Sequence, residues 1–192
     1  LQNIFRKLMR FTAFVSFPAM LGLAIVSQEL IVISITEKWL PCVPVMQILC
    51  VWGAFMPIST LYSNLMNSIG RPNVYMWNTI ALGIFQLLCV WGSYPYGLNV
   101  MLIVYTAANI FWLLIWHYFA HKHIGISLLN TLKDIAPYLI ISVAVMTFTY
   151  WVAGYVKNIY LSLLVKIALA ASLYIFLMWS LKSTVFRESL QY

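Results

Sequence analysis

The chain has 192 residues, of which 64% are apolar and only 8% charged. A soluble domain carries about 25% charged residues, so this composition excludes a soluble globule built around one core. The net charge of +7 is scattered between apolar runs and forms no basic face, which excludes nucleic acid as a partner and points instead to orientation in a lipid bilayer.

A bilayer-spanning helix needs about 20 apolar residues, and the chain has room for about six. The 8 Trp and 12 Tyr suit rings placed at the headgroup level. Cys42, Cys50 and Cys89 are odd in number and form no CxxC pair. They predict no disulfide framework and read as small buried apolar side chains.

In chain order, the apolar runs predict helices over 7–27, 43–63, 74–91, 98–119, 135–153 and 161–181. Arg6, Lys7 and Arg10 precede the first run, which Phe17-Pro18-Ala19 interrupts. No small-residue cleavage site follows, so residues 1–10 read as the end of a cytoplasmic loop and not as a signal peptide. On that reading the chain is part of something longer. Pro18 predicts a kink or a locally freed backbone carbonyl, and Gly53 and Pro57 lie inside the second helix.

Leu30–Ile35, bracketed by Glu29 and Glu37, is too short to span and is expected to lie at the outer interface. Between the second and third helices, Gly70 suits a left-handed position and Pro72 prevents helix continuation. The stretch from His117 to Asp134 is the longest polar one and reads as a connection. Pro137 falls in the first turn of the fifth helix, where proline is tolerated.

The charges test this layout. With both termini cytoplasmic, the inner segments hold Arg6, Lys7, Arg10, Arg71, Lys122, Lys133, Lys182 and Arg187, and the outer ones hold Lys38 and Lys157. That bias fixes the expected orientation.

Chemistry-bearing constellations are sparse. His117 and His121 share an i, i+4 face, but no carboxylate or cysteine lies near them except Asp134. They read as part of an interfacial belt, not as a metal site. There is no phosphate-binding glycine loop, no acid pair and no nucleophile elbow, so the chain does not read as an enzyme. All four acidic residues are expected in loops or at helix ends. Lys166 is the one charge expected at membrane depth, about 8 Å from the outer end of the last helix at the helical rise. Snorkelling of its ammonium to the interface is favoured over a functional role. Gln47, Asn64, Asn67, Asn78, Gln86 and Asn109 are expected either to bond between helices or to line a water-filled cavity.

The stretch FRKLMRFTAFVSFPAMLGLAIVSQELIVISITEKWLPCVPVMQILCVWG, followed by NLMNSIGRPN, resembles the C-terminal half of the bacterial polysaccharide flippases of the Wzx-like type. Their superfamily also contains the multidrug and toxin extruders. The resemblance rests on the basic lead into Ser16-Phe17-Pro18, the block from Glu37 to Leu49, and the Asn-to-Gly-Arg ending at Asn64 to Arg71. Thr36 and Asn73 stand where family members often have Gly and Asp.

The resemblance implies an all-α integral membrane bundle that forms one lobe of a two-lobe, MATE-like transporter in the bacterial inner membrane. The expected partners are the lipid bilayer, a lipid-linked oligosaccharide carried on undecaprenyl pyrophosphate, and an N-terminal lobe missing from this chain. Substrate and cavity candidates are Lys166, Asn109, Gln47, Asn64 and Asn67; gating or topology candidates are Arg71, Pro18 and Pro57. No cofactor is implied, and the coupling ion is left open between a proton and sodium. The alternatives are a drug or solute exporter of the same superfamily and a non-transporting membrane assembly subunit.

Overall fold

A computed structural model describes residues 1–154 and 158–180. Lys157, Lys182 and Arg187 of the charge count, and the expected helix end at Leu181, lie outside the described residues. Among the described residues six long helices follow one another: α1 (Gln2–Ser34), α2 (Val43–Ser68), α3 (Pro72–Ser93), α4 (Leu98–Ile124), α5 (Leu128–Ala153) and α6 (Ile159–Ser180). Short 3-10 turns at Glu37–Cys42 and Tyr94–Tyr96 precede α2 and α4. There is no strand among the described residues. Each of the six helices is long and apolar enough to cross a membrane. In hydrocarbon every backbone N–H and C=O must be satisfied within its own segment, and the helix does this.

The distribution of side chains is that of a protein dissolved in lipid. Ser27, Asn78, Asn109, His117, Asp134, Ser142, Thr149 and Lys166 are buried, while Leu87, Trp91, Leu129, Ile140 and Leu164 are exposed. Lipid tails are as apolar as leucine, so helices associate through close packing and hydrogen bonds and not by hiding apolar surface. The chain is an all-α membrane bundle.

The bundle is two three-helix groups. α1 packs against α5 and α6, and α4 packs against α2 and α3; α1 and α2 join the groups along the most extensive seam. That seam is written in the sequence at helical spacing. Phe5, Met9, Ala13 and Phe17 on α1 face Ala54, Ile58, Tyr62 and Met66 on α2, all buried. Phe17 meets Phe55 edge-on at 5.2 Å, and Phe5 meets Tyr62 at 5.4 Å.

Three expectations are corrected. α1 does not end at Ser27 but continues through the stretch assigned to an interfacial connection. α4 and α5 cover most of the presumed polar connection, leaving 125–127 between them. Pro137 therefore lies well inside α5, not in its first turn. Glu29, His117 and Asp134, polar residues that suggested loops, instead find partners on another helix. The turns at the ends of α2 and α4 need a left-handed residue, supplied by Gly70 (φ 73) and Gly125 (φ 68). Pro72 then starts α3, as expected.

The two candidate hinge prolines lie on α1 and α2, the two helices of the central seam. Pro18 has no N–H for the carbonyl of Phe14, four residues earlier. The Tyr174 hydroxyl of α6 donates to that carbonyl at 2.8 Å. Pro57 likewise leaves the Gly53 carbonyl without its helical donor, and the next carbonyl, that of Ala54, accepts from Ser16 Oγ at 2.9 Å. Tyr174→Phe is expected to keep the ring packing but orphan the Phe14 carbonyl, destabilising the bundle by about 1–3 kcal/mol. Unfolding in detergent micelles measures this; an unchanged midpoint would show that another donor serves that carbonyl.

Candidate functional site

The central feature is an ion pair between α1 and α6. Lys166 Nζ lies 2.5 Å from Glu29 Oε1 and also donates to the Ile25 carbonyl at 2.9 Å. Ser162, one turn before Lys166 on α6, donates to the same carboxylate oxygen at 2.9 Å. The Tyr150 ring of α5 lies 5.5 Å from the ammonium. Both charged side chains are more than nine-tenths buried.

This corrects two expectations. A carboxylate is present within a membrane-spanning helix, because α1 runs past Glu29. Lys166 does not snorkel; its ammonium turns inward to that carboxylate. Desolvating either charge alone would cost several kcal/mol, and the pair with its two extra hydrogen bonds offsets that cost. Beside it, an apolar groove of about 490 Å³ runs between α1 and α6, lined by residues that include Pro18, Gly22, Leu30, Lys166 and Tyr174.

The other predicted residues divide into engaged and free-standing. Asn109 is buried; its amide donates to the Tyr105 carbonyl at 2.8 Å and accepts from Gln86 Nε2 at 2.8 Å, tying α4 to α3. Gln47 is exposed and reaches the Ala24 carbonyl of α1 at 3.4 Å. Asn64 and Asn67 are exposed on one face of α2, with Thr60 one turn before them, and Arg71 is exposed just past the end of that helix. Pro18 and Pro57 are half-buried. The structure therefore gathers Lys166 and Pro18 along one groove, and Asn64, Asn67 and Arg71 along one exposed line. It keeps the two sets apart on different helix pairs.

Two contacts were not anticipated. At the α1 start, Arg6 grips Asp134 of α5 through two nitrogens, at 2.6 and 3.1 Å, and Arg10 approaches the same carboxylate at 3.7 Å. His117 is buried, not part of an interfacial belt, and its Nδ1 lies 3.1 Å from the Tyr62 hydroxyl. His121 and His123 bond backbone carbonyls of Ile126 and Phe119. No group of three His, Cys, Asp or Glu among the described residues is placed to hold a metal. One signal pointed to the central pair: a lysine at membrane depth needs a counter-charge, and Glu29 lies toward the same end of the bundle.

Comparison with known proteins gives a partial match. A family model described as "Polysaccharide biosynthesis protein" matches residues 1–44. The chain is 36% identical over 62 residues to an "Uncharacterized membrane protein in cps region" of Klebsiella pneumoniae, covering 32% of this chain and 13% of that protein. It is 33% identical over 70 residues to the "Lipopolysaccharide biosynthesis protein WzxC" of Escherichia coli (strain K12), covering 36% of this chain and 14% of that protein. No solved structure matches significantly. The resemblance to Wzx-like polysaccharide flippases stands on these matches, at low identity.

The ion pair makes a quantitative prediction. Removing one partner leaves a buried charge uncompensated, so Glu29→Gln and Lys166→Met should each destabilise the bundle by about 3–5 kcal/mol. The double variant should lose less than the two single losses combined, because a Gln–Met pair leaves no uncompensated charge buried. Thermal or denaturant unfolding of the four proteins closes this double-mutant cycle; additive losses would show that the two side chains do not depend on each other.

Proposed function

We propose that this chain is one lobe of a transporter that turns a lipid-linked oligosaccharide across the bacterial cytoplasmic membrane by alternating access. The reading is supported chiefly by the match of the chain's first part to a polysaccharide biosynthesis family and to WzxC. The membrane bundle is the kind of scaffold such a function needs. Transport of a polar glycan requires a second surface facing this one, supplied by an N-terminal lobe. The substrate is an oligosaccharide on undecaprenyl pyrophosphate, made inside and released outside, and both ends of this chain face the cytoplasm.

A pyrophosphate held in a low-dielectric cavity needs an available cation. Lys166 is neutralised by Glu29 and bound to the Ile25 carbonyl, so its role is to hold α6 against α1. Arg71 is exposed at the α2–α3 turn, at the end of the bundle assigned to the cytoplasm, and is the better candidate for first contact with the pyrophosphate. Asn64, Asn67 and Thr60 continue from it up α2 and offer hydrogen bonds to sugar hydroxyls. The prolines at 18 and 57 are the points at which α1 and α2 bend between the inward- and outward-facing states.

Export of lipid-linked glycan by the complete transporter tests this reading. Arg71→Ala is expected to lower the rate roughly tenfold at equal protein level, the effect of losing one charge-assisted hydrogen bond of about 1.4 kcal/mol. Lys166→Ala is expected to act through the amount of folded protein instead. Wild-type export of hydrophobic drugs with no export of glycan would replace this reading with that of a drug exporter.

A further inference from the structure

The other end of α1 carries a second charged cluster, and its charges do not balance. Arg6 and Arg10, one turn apart on α1, converge on Asp134 of α5. Arg6 spends Nε and Nη2 on that carboxylate, at 2.6 and 3.1 Å, so both carboxylate oxygens are taken. Arg10 Nη1 stops 3.7 Å from Oδ1, beyond hydrogen-bond range. Two guanidiniums thus share one carboxylate, and arginine stays charged at any physiological pH. One positive charge is left over.

That surplus charge is within reach of a ligand. The Asp134 side chain is only 7% exposed, but those of Arg6 and Arg10 are 34% and 27% exposed. Of the three Arg10 nitrogens only Nε is enclosed, and it has no hydrogen-bond partner among the described residues. Nη1 and Nη2 therefore reach the surface, and they carry most of the guanidinium's N–H donors.

Depth decides what meets them. Lys166 lies about 10 Å from the start of α6 at the helical rise. Its partner Glu29 lies about 28 Å along α1 from Arg10. The hydrocarbon core is about 30 Å thick. With the Glu29–Lys166 pair inside it, Arg10 falls just past the opposite boundary, in the headgroup layer that holds the lipid phosphates. Asp134, about 28 Å before the end of α5, falls at the same level by a separate count.

A phosphodiester suits the leftover charge in sign and in shape. It brings one negative charge to one unmatched positive charge. Its two unesterified oxygens accept in parallel from a guanidinium fork. Free lysines at a membrane surface attract acidic lipid diffusely. Arg10 differs from them, because its Nε is packed and its Nη1 is drawn toward Asp134, so the fork is already aimed. Lys7 and Lys133 are exposed and adjoin the cluster in the chain, and they raise the local positive potential.

We propose that Arg10, with Arg6 and Asp134 behind it, binds the phosphate of an acidic phospholipid at the end of the bundle assigned to the cytoplasm. The lipid completes the charge balance of the α1–α5 junction. The assignment stands apart from the transport reading, which places the glycan pyrophosphate at Arg71.

The test releases the full chain from nanodiscs of mixed phosphatidylglycerol and phosphatidylcholine with matched acyl chains. Native mass spectrometry counts the lipid retained. The expected result is one phosphatidylglycerol held about tenfold more tightly than phosphatidylcholine. Arg10→Gln should abolish that preference, and Arg10→Lys, which keeps the charge without the fork, should weaken it. Lys7→Gln and Lys133→Gln should leave most of it. Arg10→Gln keeps the Arg6–Asp134 bonds, and Arg10→Lys carries the test if the first variant does not fold. Equal retention of the two lipids overturns the proposal, as does a preference undiminished in either Arg10 variant. A loss as large in Lys7→Gln as in Arg10→Gln overturns it too, in favour of a diffuse basic surface. Added inorganic phosphate and polyprenyl pyrophosphate separate the sources of the phosphate, and neither is expected to displace the phospholipid. Displacement by inorganic phosphate would make this a free-anion site. Displacement by polyprenyl pyrophosphate, itself lost in Arg10→Gln, would make it a substrate site; either result removes the phospholipid.

Discussion

Lipid offers no hydrogen-bond partner, so each polar group carried into the membrane must find its partner within the protein. The Glu29–Lys166 pair is the most demanding instance, since it places two full charges between α1 and α6. Its geometry supplies partners for the ammonium and for one carboxylate oxygen, Oε1, while Glu29 Oε2 is buried without one among the described residues. The ammonium has a carboxylate and a backbone carbonyl, and the carboxylate has a second donor in Ser162. The same constraint acts down the whole length of α1. Ser16 donates out to α2, while the Phe14, Ala24 and Ile25 carbonyls receive donors from α6, α2 and α6. Arg6 bonds α5 at the other end. α1 is the helix to which α2, α5 and α6 are fastened, and it lies in the part of the chain with the family match.

This arrangement separates holding from handling. The buried charges are used up inside the bundle, in pairs that cross between helices. Other polar groups lie apart from the pair: the amides and guanidinium along the exposed line of α2, and the unpartnered amide nitrogen of Asn78 on α3. A transporter needs that division. Its lobe must stay intact while its ligand-facing groups exchange partners, and charges committed to internal pairs cannot serve both ends. The apolar exterior of α3, whose only buried residues are Asn78 and Ser93, fits a helix that keeps its polar contacts on the α4 side and gives the rest of its surface to lipid.

The fold was legible in the sequence because length and apolarity decide which segments cross a membrane. Six helices, the Gly70 turn and the Pro72 start all follow from local chemistry. The proline at position 18 was also readable as a freed carbonyl, though not its partner, because Tyr174 lies 160 residues away. The errors have one cause. Glu29, His117 and Asp134 are polar, and polarity in an apolar run reads as a loop. Polar residues continue a membrane helix when a partner waits on another helix, and that partner is a tertiary fact. The same blindness affected the site. Lys166 stood out by its depth, but whether it snorkels or pairs depends on where Glu29 lies, and that depends on α1 running seven residues further than its polarity suggested. Asn78 read as one more interhelical amide; only the geometry shows that half of it is bonded and half is not.

The bundle depends on Glu29 and Lys166 recognising each other across the α1–α6 interface, and charge exchange tests that most directly. Glu29→Lys alone and Lys166→Glu alone each bury two like charges, and the amount of monodisperse protein recovered from membranes should fall sharply for both. Combining them restores opposite charges at the two positions, and recovery should return to most of the wild-type level. If the combined variant is recovered no better than the worse single variant, the two side chains do not form the pair on which the bundle depends.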